Sequence, residues 1–198
     1  MQFTKQDWRN RNYLKGNDGR VPMIVPVARA GGMKRRLRDA VVADNRFGRK
    51  HLRTLTQYYG KTPFFEEVYS AVAPVLTADR ATLLSDLNIQ LINEMCKLAG
   101  IGTRLIRDDE IGDFADVDRM DRLLRICSEL GATTYVSGPA AEVYIDDRAL
   151  SEMGIELEYF EYPSVAYEQV NAPFDENVSA LDLLCCAGGA NYLSVRIS

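Results

Sequence analysis

Twice in the second half of the chain, a helical stretch stops at a glycine and gives way at once to a short β-rich run. Residues 117–130 place apolar side chains at helical spacing and end at Gly131, just ahead of Thr133, Thr134, Tyr135, Val136 and Ser137. Residues 146–153 repeat the arrangement, end at Gly154 and lead into residues 155–160, IELEYF. Strands joined through helices pair in parallel, so the pattern predicts an α/β fold in which short parallel strands alternate with helices. Residues 103–107, TRLIR, have the composition of a further strand ahead of these two.

The first half reads differently. Residues 11–15 are expected to pair with residues 21–27 across the turn residues Gly16, Asn17, Asp18 and Gly19, with Pro22 and Pro26 placing the second strand at an edge. Residues 28–48, with Gly31, Gly32, Lys34, Arg35, Arg36 and Arg38, read as a mobile basic loop in which Val41 and Val42 form a short strand. A helix is predicted from Arg49, carrying Leu52, Leu55, Tyr58 and Tyr59 and ending at Gly60; a second begins near Pro63; a third spans residues 82–98 and closes at Gly100. A last helix runs from the N-cap Ser179 to Ala187, and residues 191–198 are a strand or a frayed end. There is no repeat or linker, so one domain over residues 1–198 is expected: a basic hairpin and loop region (1–48), a helical region (49–100) and an α/β region (101–198).

Charge is distributed unevenly between these regions. Residues 1–61 carry a net +11 and the remainder −15, within a whole-chain charge of −4. Such asymmetry reserves a surface for an anionic partner: a nucleotide-linked sugar or other phosphorylated small molecule, or RNA. The chain has no apolar run long enough to span a bilayer and no secretory signal, so no membrane insertion and a cytoplasmic location are expected. Cys96, Cys127, Cys185 and Cys186 lack CxxC spacing or a nearby histidine, which argues against a metal site. Cys96 and Cys127 read as buried, reduced thiols, and the adjacent Cys185 and Cys186 as poor disulfide partners.

The candidate chemistry begins in FTKQDWRNRN, residues 3–12, where polar groups surround Trp8, the only tryptophan. Lys5, Arg9 and Arg11 suit an anion, Asn10 a sugar or amide, and Asp7 a proton or an arginine. The alternative is a solvated basic terminus with Trp8 anchored in the core. His51, the only histidine, follows Arg49 and Lys50 at the predicted helix start. Its cationic neighbours disfavour protonation and keep it available as a neutral base, and the helix start is a phosphate seat that Lys50 would share. A packing histidine is the other reading. Ser137 and Gly138 leave a predicted strand at its carboxyl end, where open α/β sheets bind ligands, although a Ser-Gly-Pro turn also serves simply to leave a strand. No GxxxxGK[ST] or GxGxxG motif is present, and no cofactor is indicated.

Taken together, FTKQDWRNRN (3–12), RKHLRTLTQYYGKTPFFEE (49–67), DLNIQLINEMCKLAGIGTRLIRDDEI (86–111), LLRICSELGATTYVSGPAAEVYID (123–146) and NVSALDLLCCAGG (177–189) resemble the WbqC-like protein family, in order over almost the whole chain. The resemblance implies a cytoplasmic role in bacterial surface polysaccharide (O-antigen) biosynthesis. The activity it implies is transfer of an aminoacyl group such as glycine, or another acyl group, to an amino sugar or nucleotide sugar, with aminoacyl-tRNA as one donor. A non-catalytic sugar-nucleotide or partner-binding protein is the alternative. It also implies about 35 to 45 residues with a His-Gln-Pro motif ahead of the region matching Gln2, roughly one small α/β unit. Either the start was assigned at an internal methionine, or this is a natural short form. Residues 140–143 depart from the second Ser-Gly pair of relatives, which weakens the case for a ligand at Ser137 and Gly138.

Overall fold

The two helix–glycine–strand junctions have the same backbone. Gly131 and Gly154 sit at φ +60° and +72°, a left-handed turn that glycine enters without a Cβ penalty. In each case the next residue's amide reaches back to the helix: Ala132 to the Cys127 carbonyl at 2.9 Å, and Ile155 to the Leu150 carbonyl at 3.0 Å. The helices, α5 (Arg119–Glu129) and α6 (Asp147–Glu152), are N-capped by the Asp118 and Asp146 carboxylates. The strands they feed, β3 (Thr134–Ser137) and β4 (Glu156–Tyr159), pair in parallel with Thr134 opposite Glu156. The alternation predicts this parallel pair and its two helices correctly.

The computed structural model describes residues 8–28, 36–78, 83–114, 117–161 and 166–190. Lys5, Asp7, Lys34 and Arg35, the first residue of the predicted third helix and the 191–198 tail lie outside them. The fold is α/β, with one antiparallel and one parallel strand pair interleaved with helices. The chain divides into two compact units, Met1–Gly102 with Ser164–Ser198, and Thr103–Pro163.

The second unit packs Cys127, Leu150 and Ile155 beneath the parallel pair, with Leu123, Leu124, Tyr135 and Leu157 around them. Its expected third strand at residues 103–107 is absent: this stretch is irregular, leaves Leu105 half exposed and leads into the short helix α4 (Asp108–Ile111). A β-rich composition makes a strand only where an edge offers a ladder, and among the described residues this ladder holds β3 and β4 alone.

The first unit opens with β1 (Arg11–Gly16) and β2 (Gly19–Ile24), antiparallel from Arg11 opposite Ile24 to Gly16 opposite Gly19, around the two-residue loop Asn17-Asp18. β2 ends three residues short of the expected Val27, which makes only an isolated bridge to Val42; Val41 bridges Leu83. Helices α1 (Arg46–Tyr59), α2 (Phe65–Leu76), α3 (Leu84–Leu98) and α7 (Ala180–Ala187) pack on the hairpin. Leu14, Leu55, Val68, Val72 and Leu184 lie at their centre. Cys127 and Cys185 are buried, Cys96 and Cys186 partly so, and all four are free thiols. Burial, with the neighbouring thiol and Asp182, pushes the Cys185 thiol up to about 12, so it is inert as a nucleophile near neutral pH.

One polar network crosses this core and fixes the hairpin. The Asp182 carboxylate in α7 is fully buried and accepts from the Tyr59 and Tyr167 hydroxyls, each at 2.6 Å, and from Gln169 Nε2 at 2.9 Å. Tyr59 Oη in turn accepts from the Lys15 amide at 2.8 Å, and the Lys15 ammonium donates to the Pro173 carbonyl. The end of β1 is thereby tied through α1 to α7.

Candidate ligand-binding site

A 3-10 turn, Trp8–Asn10, leads into β1. Three hydrogen bonds hold it: Asn10 Nδ2 to the Val25 carbonyl at 2.9 Å, the Val25 amide to the Asn10 carbonyl at 2.8 Å, and Asn88 Nδ2 of α3 to the Arg9 carbonyl at 2.9 Å. On this support Trp8 is 74% exposed, with the Arg9 guanidinium carbon 4.7 Å above its ring. Trp8 is therefore not anchored in the core. A flat, exposed ring offers a stacking face to a sugar or a base. Among the described residues, Asn10 Oδ1, Arg11 Nε and Ser85 Oγ are buried without hydrogen-bond partners. Native proteins leave few such groups, and those at functional sites await a ligand or water.

His51 lies behind this segment. α1 begins at Arg46, not Arg49, so His51 falls in the second turn and is no phosphate seat. Only 8% exposed, it meets the edge of Phe47 at 5.2 Å and hydrogen-bonds the backbone of Ile24, the residue paired with Arg11. Its pKa is lowered chiefly by burial, opposed by the Ile24 hydrogen bond, with the Lys50 charge a smaller contribution in the same direction. The direction agrees with the sequence expectation, but the main cause does not. Lys50 itself is exposed.

The depressed value carries a pH signature. The unfolded chain gains a proton as pH falls through about 6.5, and the folded chain resists it, so the stability present above that pH is lost below it. His51→Gln should unfold in urea with a flatter dependence on pH from about 6.5 downward. Equal slopes for the two proteins would show that the ring titrates as freely folded as unfolded.

Arg9, Asn10, Arg11 and His51 all belong to the first unit, Ser137 and Gly138 to the second. Ser137 is buried at the end of β3, and the Gly138 carbonyl opens a 3-10 turn over Pro139–Ala141. Sequence reasoning missed Asn88, whose signal was a polar residue between Leu84, Leu87 and Leu91 on an apolar helix face. It also missed Asp182, an acid inside the apolar run ALDLLCC. Among the described residues no cluster of three or more His, Cys, Asp or Glu is placed to hold a metal, and no helix is long and apolar enough to cross a membrane.

The fold and this surface define an α/β protein with a basic, aromatic-bearing face on its first unit. The chain belongs to the WbqC-like protein family, whose sequence pattern matches residues 1–192. It is 36% identical over 191 residues to the uncharacterized protein Rv1507c of Mycobacterium tuberculosis, an alignment covering 95% of this chain and 81% of that protein. No solved structure matches it.

Proposed function

We propose that this WbqC-like protein is a transferase that adds an aminoacyl group such as glycine, or another acyl group, to an amino sugar carried on a nucleotide, in the making of bacterial surface polysaccharide. The observation that carries the reading is the exposed Trp8 ring with Arg9 stacked on it, on a backbone held from two sides. Trp8 stacks on the sugar or base, the Arg9 and Arg11 guanidinium groups take the phosphates, and Asn10 hydrogen-bonds a sugar hydroxyl or amide. Lys5 and Lys50 add positive charge around the phosphates, and Ser137 and Gly138, on the second unit, stand as a separate candidate substrate contact. In the reaction the sugar amine attacks the acyl carbonyl, the amide forms as the bond to the donor's carrier breaks, and the amine's proton leaves to a base. Asp7 is assigned that role, and His51, buried behind Ile24, positions the strand from which Arg11 projects.

Because Trp8 is the only tryptophan, its fluorescence reads the site directly. A uridine-diphosphate amino sugar should change Trp8 emission saturably. The Arg9→Ala/Arg11→Ala variant should bind about a hundredfold more weakly, at roughly 1.5 kcal/mol for each charged hydrogen bond lost. Its melting temperature should hold, since the hydrogen bonds that pin the segment run through Asn10 and the Arg9 carbonyl, and both remain. Undiminished affinity in the variant would remove this site.

A further inference from the structure

Helix α1 carries its charges against its own electrostatics. Arg46, Arg49, Lys50 and Arg53 fall in its first turns, and the helix contains no acid. The macrodipole opposes cations at a helix N-terminus, and Arg46 with Lys50, and Arg49 with Arg53, stand at the spacing where like charges repel. Asp44 offsets Arg46 through hydrogen bonds to its amide and guanidinium group. Among the described residues no ion pair or hydrogen bond engages the Arg49 or Arg53 side chain. Both arginines line an open surface groove of about 520 Å³ between α1 and α2, with Leu52, Gln57 and Tyr69. That volume is in the range of sites for nucleotide-sized ligands.

At about 100° per residue, positions 49 and 53 lie roughly 160° around the helix from position 51. The groove thus opens on the face of α1 away from His51, Ile24 and the Trp8 segment. We infer that the α1–α2 groove is a second ligand site, which takes a nucleoside diphosphate with its phosphates on Arg49 and Arg53 and its base against Tyr69. Guanidinium forks grip phosphate oxygens bidentately, Tyr69 and Leu52 supply the aromatic and apolar wall, and the Gln57 amide is placed to hydrogen-bond the base or ribose. The ligand also offsets the charge repulsion along α1, which accounts for a helix so unfavourable in isolation. The site is independent of the Trp8 surface and of what that surface binds.

Calorimetric titration with uridine diphosphate, adenosine diphosphate and inorganic pyrophosphate tests this, in the native chain, in Arg9→Ala/Arg11→Ala and in Arg49→Gln/Arg53→Gln. A nucleoside diphosphate should keep its groove binding in the first two proteins, the native chain adding the Trp8-surface component that Arg9→Ala/Arg11→Ala loses, and the groove component should weaken about a hundredfold in the third, through loss of two charge-assisted contacts. The third protein should melt no lower than the native chain, since a repelling pair has gone, and its Trp8 emission should still respond to a nucleotide sugar. Three outcomes would overturn the inference: unchanged affinity in Arg49→Gln/Arg53→Gln, pyrophosphate binding as tightly as a nucleoside diphosphate, or an RNA oligonucleotide outcompeting both with steep salt dependence. Silence of Trp8 toward nucleotide sugars would count against the first surface alone.

Discussion

Asp182→Ala should cost the first unit about 3 kcal/mol or more in urea unfolding, at about 1 to 3 kcal/mol for each buried donor left without a partner. Three donors converge on this carboxylate, the Tyr59 and Tyr167 hydroxyls and Gln169 Nε2; Gln169 keeps the Asp175 carbonyl, so the two phenols carry most of the loss. Asp182 is fully buried, so water cannot take its place without opening the core. Burial and the Asp182 charge both raise the Tyr59 and Tyr167 pKa values, so both phenols stay protonated and keep donating. The damage should reach beyond α7, because Tyr59 Oη also receives the Lys15 amide at the end of β1. Asp182→Asn keeps one acceptor oxygen and should lose less. A loss below about 1 kcal/mol in Asp182→Ala would mean the network rearranges freely, and the hairpin would not depend on it.

Gly48→Ala is expected to be comparably damaging, and for a different reason. A Cβ at position 48 would sit 1.7 Å from the Leu76 carbonyl oxygen and 2.7 Å from its carbon. Both are backbone atoms, so no side chain can swing aside, and α1 must move off the end of α2. Overpacking in such a place exceeds the usual range of about 1 to 3 kcal/mol. In an exposed helix the same change would stabilise by up to about 1 kcal/mol, so the sign alone is diagnostic. Thermal unfolding that shows Gly48→Ala to be more stable than the native chain would refute the close α1–α2 crossing. That crossing also shapes the groove lined by Arg49 and Arg53.

Local chemistry made much of this fold legible, and what needed a partner was not. The Gly-Asn-Asp-Gly turn announces the β1–β2 hairpin, and Gly131 and Gly154 announce the helix-to-strand junctions, because those backbone conformations are written in single residues. The stretch 103–107 has strand composition and forms none, since a strand also needs an edge to pair with. Arg49 and Lys50 precede His51 in sequence, yet neighbours one and two apart on a helix face different ways. The ring instead shares its face with Leu55 four residues on, and burial became the larger influence on its pKa. Within the candidate site, Arg9, Asn10 and Arg11 were legible as a polar run, whereas the exposure of Trp8 was not. A lone aromatic among charges is as compatible with an anchor as with a stacking face, and only the exposure of the ring in the fold shows that it is no anchor.

The transfer reaction itself tests the central claim most directly. The purified chain is incubated with a nucleotide-linked amino sugar and an activated acyl donor, aminoacyl-tRNA included, and the sugar nucleotide is then weighed by mass spectrometry. The account predicts a product heavier by one acyl group, with the new bond at the amine, and its loss in Arg9→Ala/Arg11→Ala. Saturable Trp8 binding of the sugar nucleotide with no acylated product from any donor would contradict the transferase and make this chain a binding protein.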